Sequence, residues 1–130
     1  MKKYILILNI AVFSCFLLLS PSYSKDLELV VKGAECLKDN KILIKYSVVN
    51  NRDFDRQNTS ILFKIVEDDK PFACKELKTL IPKGEDGSKI YETTIEVPCK
   101  DRNFNVESTI YQYVKRYRID EYLKGCPKQE

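Results

Sequence analysis

The stretch "IYETTIEV", residues 90–97, alternates without a break. Tyr91, Thr93, Ile95 and Val97 share one parity, and Glu92, Thr94 and Glu96 share the other. A helix would scatter these apolar residues around its circumference, whereas a strand points successive side chains to opposite faces. The same period recurs along the chain. Leu27, Leu29 and Val31 alternate with more polar neighbours, as do Ile42, Ile44, Tyr46 and Val48 in "KILIKYSVVN" and Ile61, Phe63 and Ile65 in "SILFKIVEDD". One face buried and one wet is the signature of an antiparallel sheet.

Between these segments lie residues with turn chemistry at 39–40, 50–51, 68–71, 82–87 and 98–103. The pattern predicts seven strands, at 26–33, 41–50, 60–67, 72–80, 88–97, 104–114 and 117–124. Short strands with turn signals every 10 to 15 residues or so indicate an all-β, seven-stranded antiparallel β-sandwich of immunoglobulin-like or fibronectin-III-like kind.

The first residues have a different character. Lys2 and Lys3 precede an almost unbroken apolar run over residues 4–19; Pro21 ends it, and Ser22 and Ser24 are small residues suited to a cut after Ser24. This is the pattern of a secretory signal peptide, and the run is short against the roughly 20 residues of a spanning helix. A retained N-terminal anchor is the alternative. The expectation is a signal peptide over 1–24, then one domain over 25–130 that is exported to periplasm or medium with no stable membrane span. Without Lys2 and Lys3, 20 basic residues face 19 acidic ones, so net charge does not point to a polyanionic partner.

Removal of that segment takes Cys15 with it and leaves Cys36, Cys74, Cys99 and Cys126. None are spaced as a CxxC pair, so zinc-knuckle and thioredoxin-like sites lack their ligand spacing. Four wide-spaced cysteines in an exported chain imply two disulfides. In a seven-strand reading all four fall at one end of the sandwich. Four cysteines allow three pairings; neighbouring first and last strands favour Cys36–Cys126 with Cys74–Cys99.

Four stretches carry a resemblance: "DLELVV" at 26–31, "YSVVNN" at 46–51, "ILFKIVEDDK" at 61–70 and "LKTLIPKGE" at 77–85. In these the chain resembles the bacterial cell-adhesion-related domain (CARDB), an immunoglobulin-like family. "IDEYLKGC" at 119–126 departs from that family's acidic, asparagine-rich ending, and the cysteine pairs are not required by it. The resemblance implies the fold and a broad binding role and transfers no site residues.

The chain contains no histidine. This removes Ser-His-Asp and Cys-His nucleophilic systems, the commonest general base and the usual ligands of catalytic zinc. Gly84 and Gly87 are not followed by the Lys-Ser/Thr of a phosphate-cradling loop. The carboxylates at 67–69 and 85–86 fall in turns and match no calcium loop. No cofactor, metal site or enzymatic activity is expected. Two surfaces are candidates for binding. One is the polar loop carrying Arg52, Phe54 and Arg56, since aromatic and arginine side chains dominate interface energetics; the other reading of Phe54 folds it back onto the core. The second surface is the basic cluster Lys115, Arg116 and Arg118. Asp120 and Glu121 offset that cluster, which with export argues against nucleic acid. Asn58-Thr59-Ser60 is a glycosylation sequon.

The end of the chain admits two structures. As a helix, Ile110, Val114 and Tyr117 share a face and Gly125 followed by Pro127 is a stop signal. As a hairpin, Tyr111, Tyr113, Tyr117, Ile119 and Leu123 share a parity, with a tip near Lys115-Arg116; the β-branched and aromatic residues favour this reading. The resulting expectation is a disulfide-stabilised binding or adhesion module acting on a protein or glycan of the cell envelope or a host. A small exported enzyme inhibitor is the alternative, with a small hydrolase behind it.

Overall fold

A computed structural model of the protein describes residues 26–127; the expected signal peptide, 1–24, lies outside them. Six strands and one helix follow in order: β1 (Leu27–Leu37), β2 (Lys41–Asn50), β3 (Arg56–Glu67), β4 (Lys70–Ile81), β5 (Tyr91–Glu96), β6 (Asn105–Gln112) and α1 (Arg116–Tyr122). They form two antiparallel sheets, β1-β2-β5 and β4-β3-β6. The alternating residues meet between the sheets. Ile42, Ile44, Tyr46 and Val48 of β2 share one core with Ile61, Phe63 and Ile65 of β3, with Ile95 closing it from β5. Both sheets bury one face against this core, so the fold is sandwich-like.

The turns follow from local chemistry. Glu67 pairs with Lys70, and Asp68 and Asp69 between them have φ of 52° and 64°. A two-residue hairpin loop needs two such left-handed residues, and Asp tolerates that conformation better than most. Asn40, at φ 60°, ends the three-residue β1–β2 loop in the same way.

The expected seventh strand, 117–124, is instead α1. Tyr113 adopts a left-handed φ of 54° just after β6 and turns the chain out of the sheet. Lys115 then caps a seven-residue helix in extended conformation, and Gly125, at φ 86°, ends it against Pro71. The helix serves the outer face of the second sheet. Leu62 points away from the core, opposite in parity to Ile61 and Phe63, yet is fully buried. On that face Arg116 reaches Glu76 at 2.8 Å, Lys64 lies over the Tyr122 ring, and Ile119 is buried. A single apolar side chain of the helix and an aromatic thus shield a face that an ordinary sandwich would leave wet.

The disulfides are Cys36–Cys99 and Cys74–Cys126, which replaces the expected pairing. The reason lies in the two features just described. β1 and β5 flank β2 in one sheet, and the chain leaving β5 folds over the start of β2, with the Val97 amide bonded to the Asn40 carbonyl. This brings Cys99 to Cys36. Cys74 and Lys64 are cross-strand partners on the outer face, where the end of the helix delivers Cys126. All four cysteines do stand at one end: Cys74 lines a cleft with Pro98 and Pro127.

Two smaller contacts add to this, one between the sheets and one between the β5–β6 loop and the second sheet. The Lys75 ammonium donates to the Thr94 carbonyl at 2.7 Å, spanning the open side between β4 and β5. Arg102 pairs with Glu67 at 2.7 Å while stacking on Phe72. No helix among the described residues is long and apolar enough to cross a membrane.

The bridges span 63 and 52 residues, and each contributes about 4 kcal/mol through the entropy of the unfolded chain. Replacing both members of either pair with serine is expected to lower the unfolding free energy in urea by that amount. Non-reducing peptide mapping should yield the 36–99 and 74–126 linked peptides; peptides joining 36 to 126 would overturn the pairing.

Candidate binding groove

The end of the sandwich opposite the disulfides collects the loops after β2, β4 and β6. Asn50, the last residue of β2 and 4% exposed, organises them. Its side-chain amide nitrogen donates to the carbonyls of Phe54, Ile81 and Pro82 at 3.0, 3.3 and 3.1 Å. Its oxygen accepts from the Arg52 amide and from Arg56 Nε, both at 3.1 Å. The orientation of the amide is fixed by these partners, all carbonyls on one side and all N–H groups on the other. The Asn50 backbone amide donates to Glu85, and the Asn51 amide to Asp26. Asn50 therefore ties the loop after β2 to the segment after β4, and Asn51 adds the start of β1.

The sequence-derived surface residues fall into two groups around this hub. Arg52 pairs with Asp26 at 2.7 Å. Arg56 donates to Asn50 and, through Nη1, to Gln112 at 2.8 Å, and lies over the Phe54 ring. Both arginines hold the loop rather than standing free. Phe54 itself is 53% exposed, so it does not fold back onto the core. In the second cluster, Arg116 is spent on Glu76 and Asp120, whereas Lys115 and Arg118 have no ion-pair partner among the described residues.

Arg56 and Gln112 join the two surfaces. Gln112 in turn donates to the Gln57 carbonyl, and the Tyr113 amide to that of Asn58. Beside this seam runs an open groove of about 580 Å³, lined by Asn58, Lys78, Leu80, Tyr113, Arg116 and Ile119 among others. Tyr113 at its rim is 67% exposed, Leu80 is 45% exposed, and Tyr117 follows on the helix at 61%. Neither Leu80 nor Tyr113 is among the surface residues that the sequence suggests for binding. Leu80 carried a signal, an apolar residue on the wet parity of β4, but the position of Tyr113 depends on a backbone turn that alternation does not report. Asn58 of the sequon is exposed on the same rim, in a left-handed conformation.

The groove is bordered by an aromatic ring, aliphatic surface, hydroxyls and cationic heads, and none of the residues lining it is Asp or Glu. The carboxylate runs serve the turns. Glu67 is held by Arg102, and Ser88 donates to Asp86 through both its amide and its hydroxyl. Those contacts keep both carboxyls below their usual range, chiefly through the side-chain hydrogen bond. Glu85 accepts from the Tyr91 hydroxyl. Among the described residues no group of three or more Asp, Glu or Cys side chains is placed to hold a metal ion.

Comparison of the chain with known protein families, with curated proteins and with solved structures returned no match.

Two predictions follow from this geometry. Asn50→Ala strands several buried polar groups at once and is expected to cost about 3 kcal/mol. Hydrogen exchange should quicken at the Arg52 amide and at the Lys83 amide, which donates to Asp55 of the same loop at 2.9 Å, and stay slow at Val97, beside the disulfides. The second concerns pH. Burial and the Glu85 carboxylate push the Tyr91 hydroxyl up to about 12; burial, with Glu107 and Tyr111, does the same to Tyr122. The unfolded phenol titrates near 10. Above that value the unfolded chain sheds protons that the folded one keeps, so the stabilisation is complete below pH 10 and lost as the pH climbs through about 12. The urea midpoint should fall across this window, and Tyr91→Phe should flatten the fall.

Proposed function

We propose that the chain is an exported binding module: an immunoglobulin-like sandwich stapled by disulfides, which recognises a protein or glycan of the cell envelope or of a host. The observation that carries this reading is the state of Tyr113. A non-glycine residue in the left-handed region costs about 1–2 kcal/mol, and its ring gains little packing in return because most of it faces solvent. Backbone strain of this kind clusters at binding and active sites, and here it coincides with an exposed aromatic at a groove. Phe54, Leu80 and Tyr117 add apolar surface at the same end, with Lys78, Lys115 and Arg118 as cationic contacts. Aromatic and basic side chains on a rigid frame are the ordinary means of recognising a partner without turnover. The CARDB resemblance and the cysteine content support the same reading.

The test separates strain from recognition. Tyr113→Gly relieves the backbone, so the unfolding free energy should hold or rise by about 1 kcal/mol. Capture of the partner, measured by photo-crosslinking from the groove and by retention on immobilised protein, should drop about tenfold or more. Leu80→Ser should weaken capture without unfolding the chain, and Asp101→Ala, at the far end, should leave it unchanged. Undiminished capture by both groove variants would sink the assignment of this surface.

A further inference from the structure

A sandwich of two three-stranded sheets has four edge strands, and each exposes unpaired backbone groups unless something protects it. Three of the four are guarded. β1 carries Glu28, Lys32 and Glu35 and breaks register between Val31 and Gly33. β4 opens with Lys70 and Pro71, places Lys75 and Lys78 along its length, and meets irregularities in β3 at both ends. β5 has only six residues, with Glu92 and Glu96 on it, and Lys75 occupies its Thr94 carbonyl.

β6 has none of these devices. "NVESTIYQ" contains no proline, lysine or arginine, and it pairs with β3 from Asn105 to Gln112 without a register shift. Its one charge, Glu107, lies 3.9 Å from Lys64 of its own sheet. The segment that was expected to cover this edge forms α1 and lies on the outer face of the sheet instead. β1 passes nearby without pairing to β6. Along that seam the inward residues Leu27, Leu29, Val31, Val106 and Ile110 stay only partly buried.

The sequence of the strand identifies what fits. Laid antiparallel on itself about Ser108, β6 sets Val106 opposite Ile110 twice on the inner face. Glu107 then faces Thr109, and Asn105 faces Tyr111, on the outer face. No like charges meet, and the apolar residues that the seam leaves half-exposed cover one another. An isologous contact of this type closes by a two-fold axis and leaves only the guarded edges open.

We propose that β6 pairs with β6 of a second copy of this chain, antiparallel and centred on Ser108, so that two three-stranded sheets become one of six strands. The contact uses an edge separate from the Tyr113 groove and does not depend on the binding function proposed above.

Sedimentation equilibrium of the oxidised full chain tests it. The wild type should show a concentration-dependent monomer–dimer equilibrium. Ser108→Lys and Ser108→Glu, each setting like charges face to face, should be monomeric alone and should form a heterodimer when mixed one to one. Rescue in the mixture excludes misfolding as the cause. Thr109 supplies opposite signs at the flanking pairs. Thr109→Lys, facing Glu107 twice, should tighten the dimer about three- to tenfold, and Thr109→Glu should weaken it by a like factor. A wild type that is monomeric throughout overturns the proposal. So does an association that the Ser108 variants leave unchanged, which would place the contact elsewhere.

Discussion

The packing of β2 on β3 is the contact from which everything else in this protein hangs. Ile42, Ile44, Tyr46 and Val48 meet Ile61, Phe63 and Ile65, and these two strands are the middle members of their sheets. With one strand on either side, no wider core is available, and a domain this small is marginal on burial alone. The two ends of the sandwich compensate by different chemistry. One is closed covalently, by two disulfides that stand together. The other is closed by a buried amide, whose donors and acceptor are all used. The covalent end also carries the tight turns at Asn40 and Asp68-Asp69. The hydrogen-bonded end holds longer loops, and there chain shape is fixed firmly enough to keep Tyr113 in its left-handed conformation.

How far the sequence could be read depended on whether a residue's role is set locally. Alternation placed β2 and β5, and turn chemistry placed the bends at Asn40 and Asp68-Asp69, because both are decided within a few residues. The helix was misread because its reason is remote. Tyr and Ile in residues 111–119 favour a strand by propensity, yet what decides the matter is Leu62 on the outer face of β3, which needs cover. A hint was present in that strand: Ile61, Leu62, Phe63 and Val66 put apolar residues on both parities, the pattern of a strand buried on both sides. The disulfide pairing failed with the helix, since a seventh strand beside β1 would have brought Cys126 to Cys36.

At the groove, composition singled out residues that the structure gathers at one end, but it did not separate their roles in the fold. Arg52, Arg56 and Arg116 look like contact residues in a list of exposed cations, but each is held by a carboxylate or an amide from a distant part of the chain. Their work is to fix the loops. The surface left over belongs to side chains without such partners: Tyr113, Leu80 and Phe54, with Lys115 and Arg118. Which arginine is tether and which is free is a tertiary fact, settled by Asp26, Gln112 and Glu76, and nothing in local spacing announces it.

The amide of Asn50 has one more consequence, which concerns time. Hydrolysis to aspartate changes a single atom group, but it replaces a nitrogen that donates to three carbonyls with an oxygen that repels all three. The loops after β2 and β4 would then be pushed apart at the point that now binds them, while the disulfide end stayed shut. Hydrolysis at this one amide would therefore loosen the groove end before the disulfide end, a sequence of events that hydrogen exchange would follow.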